Sequence, residues 1–261
     1  MHTKKLIVTA LLFSWVIVSG CSYTSVRQHQ DFDEYLADIK SVVIAPPAVT
    51  IEEWQFSGDK VPLLEKKEKI RELIMLRAKE RLLAKGFEVK DFDFNAAMES
   101  DPDFAFEVNQ VVEAFNEARA ELYDGKPVTE ENKDKFDASI GPVINTIASR
   151  SQADAVLLLH YYGYEKSAGM VAKDLAASVL LALVSGGTTV AQSMSGSQVE
   201  IAFIDGDTGA VLWVNTKAVP SLTAEIAKHT IDEFPDTEHE NGIRVVKRET
   251  APKQTESDYN Y

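Results

Sequence analysis

Ala153-Asp154-Ala155-Val156-Leu157-Leu158-Leu159-His160-Tyr161-Tyr162 is the stretch whose reading decides the fold. Its apolar residues run on without alternation, as those of a central strand covered on both faces do. A hairpin follows downstream. Gln198 to Ile204 alternates, with Val199, Ile201 and Phe203 on one side, and Ala210 to Asn215 resumes with Val211 and Trp213. Between these runs lies Asp205-Gly206-Asp207-Thr208-Gly209, a glycine-rich turn, so the region reads as a β-hairpin.

Working outward, Ser41-Val42-Val43-Ile44-Ala45 reads as a buried first strand, stopped by Pro46-Pro47, which cannot continue a ladder. From Glu65 to Lys85 the residues Ile70, Leu73, Ile74, Ala78 and Leu82 recur at helical spacing, and Gly86 supplies the stop. Phe87 to Phe92 alternates as a strand near a sheet edge. Asp101-Pro102 opens a helix whose face is marked by Phe104, Val108, Val111, Val112, Phe115 and Leu122. A further helix is expected from near Thr129, capped by its hydroxyl and broken at Gly141-Pro142, with another turn or two through Ile144 and Ile147. Thr223 to Glu233 offers a last short helix on Ile226, Ala227 and Ile231. The order predicts an α/β (α+β) fold, a mixed sheet of about five strands with helices packed on it, plus an inserted helical segment.

The amino terminus carries an address. Lys4-Lys5, the apolar run Leu6 to Val18, and Ser19-Gly20-Cys21 have the layout of a bacterial lipoprotein signal peptide over residues 1–20. Cleavage would leave Cys21, the chain's single cysteine, as the acylated first residue, with several acyl chains supplying the anchoring that one cannot. The other reading is an ordinary secretory signal with an unlipidated product. Val18 stands where leucine is more usual. Ser22 follows the cysteine where aspartate would favour the inner membrane, so the expected address is the cell outer membrane, facing the periplasm. Residues 21–38 are expected to form a polar tether, 39–234 one periplasmic domain, and 235–261 a disordered polar tail.

Lys40-Ser41-Val42-Val43-Ile44-Ala45-Pro46-Pro47, Ala153 to Leu158 and the Val199-to-Trp213 hairpin together carry a resemblance. The pattern resembles the periplasmic fold shared by the amino-terminal domain of TolB, the curli-secretion channel lipoprotein and related small outer-membrane lipoproteins. That resemblance implies an architecture and a compartment, and fold by itself does not assign function.

Charge and cysteine content narrow the partners. With 41 acidic against 27 basic residues and a net charge of −14, nucleic acid is not expected as a partner. Broad adsorption to anionic lipid is disfavoured as well, so attachment should rest on acylated Cys21. A lone cysteine also leaves no intrachain disulfide to staple the fold.

One segment stands apart. From Gly169 to Gly187 the apolar residues, among them Leu175, Val179, Leu180, Leu183 and Val184, surround the helix almost completely, with only Lys173 and Asp174 interrupting in charge. A helix apolar all round needs cover on more than one side. Sixteen or so residues reach roughly 24 Å, short of the ~30 Å hydrocarbon core, so a spanning helix is disfavoured. Three readings stay open: burial within the monomer, contact with another copy or an envelope protein, and a membrane-crossing hairpin of the curli-channel kind, whose strands should alternate where Leu175 to Val184 does not.

Catalytic signatures are sparse. Asp207-Thr208-Gly209 has the letters of an aspartic-protease motif but sits in a turn, and Asp205 with Asp207 lacks the other oxygens of a calcium loop. His160 reads as a hydrogen-bonded core or edge histidine rather than a base, and His29, His229 and His239 show no ligand spacing. The sequence contains no nucleophile elbow, phosphate loop or dinucleotide fingerprint, so no cofactor or metal is expected. Trp54 and Phe56 read either as an exposed recognition patch or as cover for the core. The function expected is that of a lipid-anchored, non-catalytic scaffold or accessory subunit for an envelope protein complex, acting through a partner or self-association. The leading alternative is an oligomeric export component related to curli-type channel lipoproteins, and an uncharacterised hydrolase comes third.

Overall fold

In the computed structural model the described residues are 24–123, 135–185, 193–240 and 243–247. The chain begins with β1 (Thr24–His29), α1 (Phe32–Asp38), β2 (Ser41–Ile44), β3 (Ala48–Trp54) and β4 (Lys60–Pro62). It continues through α2 (Leu64–Ala84), β5 (Glu88–Lys90), α3 (Phe94–Ser100), α4 (Pro102–Tyr123) and β6 (Lys135–Phe136). A 3-10 turn (Pro142–Ile144) and α5 (Asn145–Ser151) lead into β7 (Ala155–Lys166), α6 (Ala168–Ser185), β8 (Ser195–Asp205) and β9 (Val211–Val219). The last elements are α7 (Glu225–Asp232), β10 (Thr237–Glu240) and β11 (Ile243–Val246).

Among the described residues nine strands form one mixed sheet in the order β4-β3-β7-β8-β9-β1-β6, with β2 pairing β7 and β5. Helices pack on it, so the fold is the α/β class that the sequence predicts. β7 organises the sheet. One edge pairs antiparallel with β8 from Ala155↔Asp205 to Glu165↔Ser195. The other is shared: β2 takes residues 155–157 and β3 takes residues 160–166, both parallel. Pro46-Pro47 thus ends one strand, as expected, and the chain rejoins the same edge a few residues farther along.

The absence of alternation in β7 has its cause in the two cores. Leu157, Leu159 and Tyr161 lie with Ile201, Phe203 and Trp213 beneath α1, α2 and α7, whereas Val156 and Leu158 lie with Ile204 and Val214 beneath α3, α4 and α5. The Asp205–Ala210 turn forms as read: Asp205 Oδ1 accepts from the Thr208 amide (2.8 Å) and hydroxyl (2.6 Å). Gly209 has φ +77°, and a Cβ there would stand 2.0 Å from the Gly141 carbonyl oxygen, so only glycine fits.

Four expectations are corrected. The folded part already includes residues 24–38, ahead of Ile39: β1 pairs with β9 from Thr24↔Lys217 to Gln28↔Trp213, and Phe32 and Leu36 of α1 are buried. Residues 24–38 are therefore part of the domain rather than tether, concealed by a strand with one apolar residue, Val26, and a helix two turns long. The start of the tail is ordered as well. β10 pairs with β11, and buried Arg244 donates to the carbonyls of Ile39, Lys85 and Gly86 while lying 4.1 Å from the Phe87 ring centroid. The sheet exceeds five strands because β1, β3, β4 and β6 join it, and β4 and β6, three and two residues long, are too short to leave a period in the sequence. Finally, the helix expected from Thr129 begins outside the described residues, and its later part is extended: Lys135 and Phe136 pair parallel with β1, and the Ile140 amide donates to Gly209 O.

If residues 24–38 are structural, Leu36→Ala should lower unfolding free energy by about 2 to 5 kcal/mol in urea titrations. Indifference to that change would return the segment to the role of tether.

Candidate functional site

The end of the sheet at which β7 finishes, the upper end, gathers the residues singled out in the helical insert. The Lys166 amide donates to Met194 O (2.8 Å) and the Ser167 amide to Trp54 O (3.0 Å). Ser167 then caps α6, its hydroxyl accepting from the Met170 amide at 3.3 Å. Lys166 Nζ holds Asp174 Oδ2 at 2.6 Å, and Lys173 Nζ lies 5.2 Å from the Phe56 ring centroid. Both charges of the helix are thus engaged near its start.

No residue from 168 to 178 is buried. Leu175 is 64% exposed, with Phe56 at 60% and Met194 at 65%. The described half of α6 therefore does not bury itself in its own domain, and that reading of the insert fails there. Val179, Leu180, Leu183 and Val184 continue the helix, and their side chains lie outside the described residues, as does Cys21 altogether. Among the described residues no helix is long and apolar enough to cross a membrane. The two readings of Trp54 and Phe56 divide between them: Trp54 stacks on Tyr164 at 4.2 Å, while Phe56 stays exposed.

A second group lies on the sheet face beside α4. Arg119 places Nε 2.7 Å and Nη2 2.6 Å from Glu200 Oε2, His160 Nδ1 lies 3.4 Å from the same oxygen, and Gln198 Nε2 donates to Oε1 at 3.2 Å. Burial pushes the Glu200 carboxyl up, but the His160 contact and the Arg119 guanidinium outweigh it, and the group titrates below its ordinary value. Burial, with the Glu200 charge nearby, raises the Tyr123 hydroxyl well above its usual range. His160 is a partnered histidine on a half-buried face, as its sequence setting indicates, and its carboxylate partner is already held by arginine. Neither Arg119 nor Glu200 carried a sequence signal, because the pair meets only when α4 crosses β8.

The lower end carries acid. A cleft of about 540 Å³ is lined by Asp31, Glu34, Asp38, Asp154, Asp205 and Asp207. Two of these carboxylates have structural work: Asp205 closes the hairpin turn, and Asp154 Oδ2 accepts from the Lys40 amide, the Ser41 amide and the Ser41 hydroxyl at 2.8 to 2.9 Å. Among the described residues no group of three or more His, Cys, Asp or Glu is disposed to hold a metal ion. His29, expected in the tether, is buried, with Nδ1 accepting from the Asp31 amide and Nε2 3.2 Å from Asp137.

No protein-family model matches the sequence, and no curated protein matches it significantly. Solved structures with a similar course of chain include the PelC dodecamer from Paraburkholderia phytofirmans, 14% identical, covering 80% of this chain and 92% of that one with a TM-score of 0.31. A point variant of that dodecamer has 12% identity and the same TM-score and coverage. A DUF4136 family protein from Bacteroides thetaiotaomicron is 10% identical over 81% of this chain and 92% of that one, with a TM-score of 0.28. Likeness this low carries no conclusion about activity, substrate or assembly.

Because the folded Glu200 carboxyl titrates lower than the unfolded one, its contribution is complete above the unfolded value near 4.5 and is lost as pH falls through the folded value. Glu200→Gln should therefore cost about 2 kcal/mol at neutral pH. The difference from the unsubstituted protein should shrink toward zero in acid. Denaturation midpoints measured from pH 7 to pH 3 check this, and a pH-independent difference would contradict it.

Proposed function

We propose that this chain is a lipid-anchored lipoprotein of the cell outer membrane, facing the periplasm, that serves as a non-catalytic accessory subunit of an envelope protein assembly. The observation that supports it most is α6: among residues 168–178 no side chain of this apolar helix is fully buried in the monomer, which leaves it open to cover from outside the chain. The lipobox residues Ser19-Gly20-Cys21 supply the address, and Cys21 stands three residues ahead of the first strand. Acyl chains on Cys21 would hold the folded domain directly at the membrane. The reading requires no covalent chemistry of the Arg119–Glu200–His160 group, whose hydrogen bonds tie α4 to the sheet.

Two measurements test it. Cys21→Ser should move the protein from the membrane fraction to the soluble periplasm, whereas retention after a high-salt wash would overturn the lipid anchor. Native mass spectrometry of the acylated protein, extracted from its own membranes in mild detergent, should show it bound to a second envelope polypeptide or to a defined number of its own copies. A closed ring of many copies would favour the export-component alternative, and a solitary monomer would remove the accessory-subunit reading.

A further inference from the structure

What covers α6 follows from where the chain enters the fold. Thr24 pairs with Lys217, Lys217 with Val199, and Val199 with Tyr161, so the start of β1 lies level with Tyr161 on the central strand. β1 runs downward from there, reaching Trp213 at Gln28, so the chain comes into the sheet from the upper side. The upper rim, at Lys166, is five residues beyond Tyr161, or about 17 Å at the rise of a strand. Cys21 is only three residues ahead of Thr24, and three residues span at most about 10 Å. An anchor of that length cannot hold the upper rim clear of the bilayer when the domain stands on that end.

Three exposed apolar side chains gather at that rim. Phe56 at the tip between β3 and β4, Leu175 on α6 and Met194 before β8 are all exposed there, and Gly169 brings the helix start against Phe56. Lys173 flanks the Phe56 ring, and Lys60, half exposed, lies across Trp54, an apolar-and-lysine mixture suited to the headgroup layer. The acidic cleft lies at the opposite end, whereas at this rim Lys60, Lys66 and Lys166 are paired with Glu52, Glu165 and Asp174. Helix length agrees too: 18 residues make about 27 Å, enough to lie along an interface and too little to cross the ~30 Å core.

We propose that the exposed surface of α6, together with Phe56 and Met194, lies in the headgroup layer of the same leaflet that holds the Cys21 acyl chains, so that the domain stands on the membrane by its upper end. The inference deepens the anchoring half of the proposed function and rests on it. The acidic end is then presented to the periplasm.

The test uses the acylated protein in vesicles of phosphatidylethanolamine and phosphatidylglycerol. Acylation blocks the thiol of Cys21, so Leu175→Cys, Met194→Cys and, at the lower end, Thr208→Cys each offer one site for an environment-sensitive fluorophore. All three positions are at the surface; Thr208→Cys gives up the two turn contacts of the hydroxyl but keeps the amide bond to Asp205, and its circular dichroism should match that of the unsubstituted protein. Labels at 175 and 194 should shift to the blue and be quenched at least about two-fold by doxyl-labelled lipid, while the label at 208 stays wet and unquenched. Labels at 175 and 194 as open to aqueous iodide as the one at 208 would overturn the inference. So would blue-shifted labels that ignore doxyl lipid and respond to protein concentration, because a second copy of the chain would then be the cover. Flotation separates this from failure of the anchor: Cys21→Ser protein that floats with vesicles as fully as the acylated form would overturn the anchoring reading, whereas acylated protein that floats with its 175 label wet overturns only the placement of α6.

Discussion

The structure depends on burying one strand on four sides. β7 is hydrogen-bonded along both edges and packed on both faces, and each relation sets the position of something else. Its antiparallel edge carries the hairpin of β8 and β9, and through β9 the amino-terminal strand β1. Its parallel edge is divided between β2 and β3, with the double proline making the step. An unpaired backbone group in so dry a place would cost a hydrogen bond's worth of desolvation. The register of the whole sheet is therefore strongly specified, and with it the direction in which α6 departs.

Polar side chains pin the layers to this strand. Asp154 ties the start of β7 to the start of β2 through two amides and a hydroxyl, and these bonds overcome burial to keep its carboxyl below the ordinary value. Arg244 does the same work with the opposite charge: its guanidinium reaches carbonyls at the end of α2 and before β2, drawing the last hairpin onto the domain. Glu200 joins α4 to the sheet through Arg119. Glu200 and Arg244 are buried charges with their hydrogen-bonding capacity directed at fixed partners, the condition under which such burial is tolerated, whereas Asp154 makes its bonds from an exposed position.

Much of the fold was legible where burial leaves a period. The central run, the Asp205–Gly209 turn, α2 and α7 could be read because their apolar residues recur at the spacing of the element they form. β1, α1 and β10–β11 could not. Each is only four to seven residues long, and what orders them is pairing to a distant edge or a single arginine, neither of which has a local signature. β3 escaped notice because Ala48 to Trp54 follows two prolines and is acidic over Glu52 and Glu53. The candidate site divides in the same way. The apolar character of Leu175 to Val184 is plain in the sequence, whereas the exposure of Leu175 beside Phe56 and Met194 is a property of the assembled upper end.

By itself, then, the sequence determined the elements whose information is local: a central apolar strand, a glycine-dependent hairpin, two amphipathic helices and a largely apolar helix. Periodicity and turn chemistry both act over a few neighbouring positions. Only the tertiary structure decided that the supposed tether is β1 and α1, that Glu200 meets Arg119, and that the amino terminus enters from the end where α6 emerges. Those facts depend on strand register across the sheet, a relation among residues up to two hundred positions apart that no local pattern encodes.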